Sequence, residues 1–307
     1  MKNLNRPRRL RRCQLSVPGS SEKMMRKAAG LDVDYVFLDL EDAVAPNKKK
    51  EARGMVVEAL NTLDFGRTTR CVRINDTGTP YCHGDIIEVV TGARENLDVI
   101  MLPKPLAPAD LLFVDKLLSQ LEADLGLTKK IGLECLIEEV EAMIAVNEIA
   151  AATPRLEALI FGVGDYSASQ GIPFAEIEGK GEYPADIWHY QRHRLIMACR
   201  ANGLDAVDGP FPDFSDSDQY RTECRRAQIL GAVGKWAIHP NQVAIAQETF
   251  SPSRDEVDRA RAIKALYDEA MANGLGAVTY EGKMIDVAVV RLLENTLEKA
   301  DLIEKGM

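Results

Sequence analysis

The sequence lacks long hydrophobic runs, paired cysteines and an excess of basic residues. None of its apolar segments approaches the roughly 18 residues that a membrane span requires, so we expect no membrane association. The six cysteines are scattered and form no Cys-x-x-Cys pair, which favours reduced structural thiols and a cytoplasmic location. With 38 Lys and Arg against 47 Asp and Glu, the formal net charge of −9 argues against a general nucleic-acid-binding protein.

Several catalytic motifs are also missing. The chain contains no G-x-S-x-G segment and no P-loop, so serine hydrolysis and nucleotide hydrolysis have no support in the sequence. There is no H-E-x-x-H pair either. His189 and His193 share a helix face, but nothing acidic nearby completes a metal site, and we interpret them as part of a solvated surface.

Short β-branched runs recur eight times, and each is followed by a longer stretch with helical periodicity. The predicted strands cover residues 14–17, 35–40, 70–74, 99–102, 131–137, 156–161, 204–207 and 235–238. Eight consecutive βα units predict an α/β fold, a (β/α)8 TIM barrel over residues 1–250. The alternative, a doubly wound open sheet, would usually carry a G-x-G-x-x-G turn after its first strand, and that turn is absent.

The longest connection between predicted units runs from Asp165 to about Asp186. It contains three glycines and two prolines, and we expect it to form a loop over the mouth of the barrel.

Residues 251–307 follow the eighth βα unit and are not needed by a minimal barrel. A capping box at Ser253 and Glu256 predicts the start of one helix. A second helix is predicted over residues 284–302, with Asp286 at its beginning. We interpret this segment as a C-terminal helical lid or an oligomerisation arm.

In a TIM barrel, catalytic groups lie at the carboxyl ends of the strands. Glu134 and Asp165 are carboxylates at the ends of two neighbouring, otherwise apolar strands, so we expect their oxygens to converge on one cation. Two carboxylates completed by water and substrate oxygens suit Mg²⁺, with Mn²⁺ as a substitute, whereas zinc would favour a His/Cys cluster. The alternative is a structural ion pair of Glu134 with Arg73 or Lys104.

Other charged residues follow the second, third and fourth predicted strands. A guanidinium at Arg73 suits a carboxylate, a phosphate or a developing enolate oxygen. The acidic cluster Asp39, Glu41 and Asp42 neutralises that charge, is itself a metal site, or holds the metal ligands in place by hydrogen bonds. Lys104 indicates an alternative reaction, that of a Schiff-base aldolase, because a desolvated lysine can attack a carbonyl.

The first strand ends in a turn that suits a phosphorylated ligand. Its glycine allows close backbone approach, and the following helix offers free N–H groups and then cations, among them Lys27. The candidate contacts in the turn are Ser16, Pro18, Gly19 and Ser20. His239, at the end of the eighth strand, is a candidate for the lining of the mouth.

The basic residues are concentrated near the amino terminus. Residues 1–53 hold 13 Lys and Arg but 7 Asp and Glu, so a localised phosphate-binding rim is compatible with the acidic total. We interpret the first residues as a short basic arm. Its arginines, Arg6, Arg8, Arg9, Arg11 and Arg12, leave RNA binding as a non-enzymatic alternative.

Taken together, the motifs resemble the citrate lyase β-subunit-like family of acyl-CoA lyases, and within it the malyl-CoA/β-methylmalyl-CoA lyases. The resemblance covers almost the whole chain. It rests on SVPGS (16–20), DLEDAVAPNKKKEAR (39–53), VRIN (72–75), PKP (103–105), LECLIE (133–138), GVGDYSAS (162–169), VDGPFPDFSD (207–216), GKWAIHPNQV (234–243) and GKMIDVA (282–288).

The resemblance implies a (β/α)8 barrel whose lid reaches a neighbouring subunit in a homotrimer or homohexamer. It implies that Glu134 and Asp165 bind Mg²⁺ and that Arg73 faces the thioester oxygen. It further implies that Asp286 is the catalytic acid/base and that Lys27 lies near the CoA phosphates. The expected reaction is reversible cleavage of a 3-hydroxyacyl-CoA into glyoxylate and acetyl-CoA or propionyl-CoA. A malyl-CoA thioesterase and a citramalyl-CoA or citryl lyase are the alternatives.

Overall fold

The structure is a computed structural model that describes residues 6–177 and 186–306. The strands are β1 (Cys13–Pro18), β2 (Tyr35–Asp39), β3 (Thr69–Arg73), β4 (Val99–Leu102), β5 (Gly132–Ile137), β6 (Leu156–Phe161), β7 (Asp205–Asp208), β8 (Gly234–Ala237), β9 (Val278–Tyr280) and β10 (Lys283–Ile285). The helices are α1 (Glu22–Ala29), α2 (Lys49–Thr62), α3 (Cys82–Ala93), α4 (Pro108–Leu125), α5 (Val140–Ile144), α6 (Val146–Ala150), α7 (Val163–Gln170), α8 (Phe174–Ile177), α9 (His189–Asn202), α10 (Ser217–Leu230), α11 (Pro240–Thr249), α12 (Arg254–Ala272) and α13 (Val287–Lys305).

The first eight strands form the barrel that the sequence predicts. They pair in parallel in chain order, and β8 closes the barrel on β1, with Cys13 opposite Lys235. Each predicted strand matches an observed one to within about a residue at either end. No helix in the described ranges has both the length and the apolar character needed to cross a membrane.

Alternation along the strands produces two apolar layers. One set of side chains fills the barrel interior: Tyr35, Phe37, Cys71, Val99, Met101, Leu136, Ile160, Val207 and Trp236. The other set packs between the sheet and the surrounding helices. Near the middle of the interior the rings of Phe37 and Trp236 lie 4.4 Å apart, so the barrel is a packed core and not a pore.

The amino-terminal residues close the bottom of the barrel instead of forming a free basic arm. Arg11 is 3% exposed and its guanidinium pairs with Glu134 at 2.7 Å and Asp205 at 2.9 Å. Further bonds join Arg6 to Pro154, Arg9 to Glu157 and Arg12 to Asp34. These arginines therefore lie at the end opposite the turn after β1, and their bonds within the fold leave fewer of their N–H groups for an RNA phosphate.

The connection after β6 is more regular than the sequence suggests. Helix α7 begins at Val163, directly after the strand, and Gly171 ends it in the left-handed conformation at φ 75°. Helix α8 follows. The expected loop over the mouth is therefore partly helical, and residues 178–185 of that prediction lie outside the described residues.

The carboxyl-terminal extension consists of α12, a two-stranded hairpin and α13. The capping box is confirmed, since Ser253 and Glu256 each accept from the other's backbone N–H. Met284 belongs to β10, so the second helix begins only at Val287, and the hairpin was not predicted. Ile263, Tyr267, Ile285 and Val290 form a small core that is separate from the barrel's.

We expect the turn after β1 to tolerate no side chain at Gly19. A Cβ there would lie 2.7 Å from the Asp39 carbonyl oxygen and 2.8 Å from a Val56 methyl group. Gly19→Ala should lower the free energy of unfolding by about 1–3 kcal/mol, measured by urea denaturation. Gly54→Ala, on the exposed face of α2 with nothing within 4 Å, is the matched control and should raise it by about 0.5–1 kcal/mol. Equal effects of the two substitutions would contradict this reading.

Candidate active site

The carboxyl ends of β2 to β6 bring five charged residues to the mouth of the barrel. These residues are Asp39, Arg73, Lys104, Glu138 and Asp165. Three of them, Asp39, Arg73 and Glu138, are buried, although each carries or can carry a charge. Such groups are expensive to bury unless they bind one another or a ligand, so the mouth is a candidate active site.

Arg73 is held in a fixed orientation by the end of β2. Its Nε and Nη2 atoms each donate to one oxygen of Asp39 at 2.7 Å, and its Nη1 lies 2.9 Å from Glu41 Oε2. Asp39 also accepts the backbone N–H groups of Glu41 and Ala43. Burial opposes the charged form of Asp39, but Arg73 outweighs it and lowers the pKa of the carboxyl group. The ion pair is therefore permanent at neutral pH.

Two aromatic faces form the floor under Arg73. Its guanidinium carbon lies 5.8 Å from the centre of the Phe37 ring and 5.5 Å from that of Trp236. A guanidinium has five N–H groups, and the pairs with Asp39 and Glu41 leave some of them for a ligand. Arg73 is thus a preorganised donor for a negatively charged oxygen, as the sequence suggested.

Lys104 bridges the acidic residues of the mouth. Its Nζ atom lies 2.6 Å from Glu41 Oε1, 3.4 Å from Asp42 Oδ2 and 3.9 Å from Asp165 Oδ1. Burial opposes the ammonium form, but the pair with Glu41 outweighs it and raises the pKa of Lys104 above its ordinary value. Schiff-base chemistry needs a neutral amine, so the structure argues against the aldolase alternative.

The backbone of Lys104 is also unusual. Its φ of 48° lies in the left-handed region, which a residue with a side chain adopts only when its surroundings require it. In this conformation its N–H donates to Glu138 Oε1 at 3.0 Å. Lys104 therefore contacts Glu138 through its main chain and Asp165 through its side chain.

Glu138 is a buried carboxylate at the mouth with no cation of the described residues within ion-pair distance. Burial, and then the neighbouring charge of Glu41, raise its pKa to about 8. Gly162, at the end of β6, leaves the room that Glu138 occupies, since a Cβ there would lie 2.4 Å from the glutamate's own. The site therefore has a carboxylate that lacks a positive partner.

Glu134, the expected metal ligand, lies elsewhere, and that prediction is wrong in its geometry. Its oxygens accept from Arg11 at 2.7 Å and from the Gln14 amide at 2.8 Å, at the floor of the barrel. Four residues of strand separate it from Glu138, which is about 13 Å. The structure thus brings Asp165 close to Glu138 and Lys104, and not to Glu134. Nor does Glu134 pair with Arg73 or Lys104.

A signal for Glu138 was present in the sequence. Residues 134, 136 and 138 all face the interior because side chains alternate along β5, so facing direction cannot separate the two glutamates. Their positions along the strand do separate the two glutamates. Glu138 directly follows the predicted strand end at residue 137, where a TIM barrel places its chemistry.

The carboxylates of the mouth fit a hard divalent cation. In the described part of the chain no three His, Cys, Asp or Glu side chains form a ready metal cage. Glu138 and Asp165 supply two carboxylates, which leaves further coordination positions to water and substrate, the arrangement that Mg²⁺ favours. A divalent ion would also supply the positive charge that Glu138 lacks.

The turn after β1 packs against the mouth as expected. The N–H of Gly19 donates to the Asp39 carbonyl at 2.8 Å, which places the turn beside the residue that holds Arg73. Ser16 and Pro18 are half-buried, whereas Ser20 and Lys27 are exposed and free to meet a ligand. Their role in CoA binding stays a prediction.

His239 has a structural role at the end of β8. Its Nδ1 accepts from the N–H of Asn241 at 3.2 Å, so it caps α11, and its ring stacks on Phe214 at 4.8 Å. It reaches the edge of the mouth but makes no described contact with Arg73 or Glu138.

Two basic residues of α2 support the mouth and were not identified from the sequence. Lys49 is 8% exposed and donates to the backbone carbonyls of Leu40 and Glu41. Arg53 pairs with buried Asp85, which in turn binds Asn75 after β3. Three consecutive lysines, residues 48–50, precede Arg53, and the sequence alone does not indicate which of them turns inward.

Asp286 is not part of this chain's own mouth. It caps α13, where its Oδ1 accepts the N–H groups of Ala288 and Val289 at 3.0 and 3.1 Å. None of its described contacts reaches Arg73 or Glu138. The structure therefore does not bring the expected acid/base to the other candidate residues.

The fold and the charged mouth define the chain as a TIM-barrel enzyme. Residues 12–240 match the HpcH/HpaI aldolase/citrate lyase family, and the chain belongs to that family. It is accordingly a carbon–carbon lyase, and the resemblance read from its motifs is confirmed.

Three similar proteins illustrate this kinship. The L-malyl-CoA/beta-methylmalyl-CoA lyase of Cereibacter sphaeroides is 42% identical over 307 residues, covering 97% of this chain and 96% of its own. The malyl-CoA/beta-methylmalyl-CoA/citramalyl-CoA lyase of Chloroflexus aurantiacus is 36% identical, covering 89% and 82%. The protein CitE of Mycobacterium tuberculosis, in complex with magnesium, acetoacetate and coenzyme A, superposes with a TM-score of 0.75 at 27% identity, covering 94% and 97%.

Proposed function

We propose that this lyase cleaves malyl-CoA or β-methylmalyl-CoA reversibly, releasing glyoxylate and acetyl-CoA or propionyl-CoA. The observation that carries the proposal is the juxtaposition of unpaired Glu138 with the preorganised guanidinium of Arg73 at one mouth. Glu138 suits a cation that binds the oxo acid. Arg73 suits the negatively charged oxygen of a developing enolate. The names of the Cereibacter and Chloroflexus relatives support the substrate class.

Glu138 and Asp165 would hold Mg²⁺, and Mn²⁺ is proposed as a substitute. The magnesium complex of the Mycobacterium CitE protein supports this cofactor. When bound, the ion supplies the positive charge that polarises the carbonyl oxygen of the 2-oxo acid. Lys104 keeps its place between the two carboxylates by its backbone bond to Glu138.

Arg73 would stabilise the charge that moves to the thioester oxygen as the carbon–carbon bond breaks. Its free N–H groups need no reorientation, because Asp39 already fixes the guanidinium plane. The enolate carbon then takes up a proton to give acetyl-CoA or propionyl-CoA. In the reverse direction the same acid/base removes that proton.

Asp286 would be this acid/base, delivered by a second copy of the chain. None of its described contacts is with its own mouth. The extension that carries it exposes Met284 by 69%, Val287 by 61% and Leu292 by 68%. Apolar residues this exposed favour a subunit interface. We propose a homotrimer or homohexamer in which the extension covers a neighbouring mouth.

The six cysteines are free and buried, which fits a reducing cytoplasm.

Product analysis with an acyl-CoA panel and Mg²⁺ tests the proposed reaction. We expect malyl-CoA to yield glyoxylate and acetyl-CoA in equal amounts, detected by hydrazone formation and chromatography. Pyruvate from citramalyl-CoA at a higher kcat/KM would instead support the citramalyl-CoA lyase activity in the Chloroflexus relative's name. Malate and free CoA without glyoxylate would establish a thioesterase and overturn the lyase proposal.

Magnesium affinity should depend on pH through Glu138. Since its pKa in the metal-free protein is raised to about 8, Mg²⁺ must displace a proton at any lower pH. We expect the affinity to weaken by about tenfold per unit below pH 8 and to level off above it, measured by calorimetry. The folded state also binds this proton more tightly than the unfolded state does. The metal-free protein should therefore lose stability as pH rises from 4.5 to 8. A pH-independent affinity would refute the assignment.

A further inference from the structure

A cavity of about 310 Å³ lies between α13 and the amino-terminal end of the barrel, opposite the mouth. We call it the floor cavity. Its basic lining residues are Arg8, Arg9, Arg11, Arg12, Arg200 and Lys299, and its acidic ones are Asp205, Glu256 and Glu298. Six cations and three anions line it, but Arg9, Arg11 and Arg12 also pair with Glu157, Glu134 and Asp34, which lie outside the lining.

The carboxylates of the floor cavity are already engaged. Asp205 pairs with Arg11 at 2.9 Å, and Glu298 pairs with Arg8 at 3.3 Å. Glu256 belongs to the capping box of α12. Four of the six cations, Arg8, Arg9, Arg11 and Arg12, have carboxylate ion-pair partners among the described residues, and two cations remain.

Lys299 and Arg200 are those remaining cations. Lys299 is half-buried over the Phe250 ring at 5.8 Å, and the described residues give it no ion pair. Burial lowers the pKa of Lys299 to about 8, against the opposing negative charge of Asp205, and the positive charge of Arg200 adds to the decrease. Within residues 6–177 and 186–306, Arg200 donates to the Gly231 carbonyl at 3.3 Å and forms no ion pair. Two cations without carboxylate partners therefore face one cavity.

We propose that the floor cavity binds a small organic anion whose phosphate or carboxylate head contacts Lys299 and Arg200. Leu10, Phe250 and Leu302 line the same space and can cover a short apolar body. Since α13 carries Lys299 and is capped by Asp286, the ligand ties the carboxyl-terminal extension to the barrel floor. This site is independent of the lyase activity proposed for the mouth.

Thermal unfolding of the full chain with inorganic phosphate, or with succinate, tests the floor cavity against sodium chloride of equal ionic strength. We expect one or both anions to raise the unfolding midpoint saturably by roughly 2–5 °C beyond the chloride effect. The stronger of the two identifies the head group. Calorimetry should show affinity reduced about tenfold or more in Lys299→Met.

Three variants make the result specific. Lys305→Met, on the exposed end of the same helix, should respond like the wild type, and so should Arg73→Lys, which alters only the mouth. Arg200→Gln should weaken binding as Lys299→Met does. If the Lys299→Met variant does not fold, Arg200→Gln serves as the test in its place. Saturable binding that survives both floor substitutions, or no response beyond chloride, would overturn the proposal.

Discussion

Mixing two inactive variants, Arg73→Lys and Asp286→Asn, should restore about a quarter of wild-type activity. In a symmetric oligomer each complete site would take its mouth from one subunit and its extension from the next. Random assembly of an equal mixture pairs an intact mouth with an intact Asp286 in about one site of four. Arg73→Lys keeps a positive charge beside Asp39 but loses the two-pronged contact, so the subunit should remain folded.

The measurement is glyoxylate release after equal co-expression of the two variants with different tags, without enrichment of mixed oligomers, and a pull-down through each tag shows that hetero-oligomers are present. A mixture of Arg73→Lys with Glu138→Gln is the matched control, because both changes damage the mouth and no intact one can form. Recovery in the control, or none in the first mixture when hetero-oligomers are present, would refute an extension that acts in the neighbouring subunit.

Glu138→Gln should abolish magnesium binding, whereas Glu134→Gln should leave it intact and destabilise the fold. The first change removes a charged ligand at the mouth that has no internal counter-ion. The second leaves the buried guanidinium of Arg11 without one of its carboxylates, a loss of about 3 kcal/mol in the free energy of unfolding. The same residue type on one strand should thus give two separable defects.

Calorimetric Mg²⁺ titration and urea denaturation of both variants measure these two effects. Glu138→Gln is expected to be at least as stable as the metal-free wild type above pH 8, because it removes a buried negative charge. If Glu134→Gln lost magnesium binding and kept its stability, the original placement of the metal on Glu134 would be right and the present one wrong.

The barrel could be predicted because each strand carries its own signal. β4 and β6 begin and end where the pattern of branched residues predicts, since both are short, apolar and bounded by polar turns. The hairpin of β9 and β10 could not be predicted. Its three-residue strands are too short for a periodic pattern, and Met284 fits a helix equally well.

The sequence predicts those site residues whose place in the barrel follows from their closeness to a strand end. Arg73 is the last residue of β3 and Asp165 lies in the first turn of α7, which begins directly after β6, so both lie at the mouth. Glu134 was misassigned because its function depends on Arg11, which lies 123 residues earlier in a segment with no recognisable secondary-structure signal. Such a long-range pairing leaves no local trace in the sequence.

The two glutamates of β5 separate folding from chemistry along a single strand. A substitution at Glu134 should lower the amount of protein a cell retains, while one at Glu138 should lower turnover and leave abundance unchanged. A growth-based screen would score both as loss of function, and only a parallel readout of protein level would distinguish them. Substitutions that change substrate preference at the mouth can therefore arise without lowering the free energy of unfolding that Glu134 helps to provide at the floor.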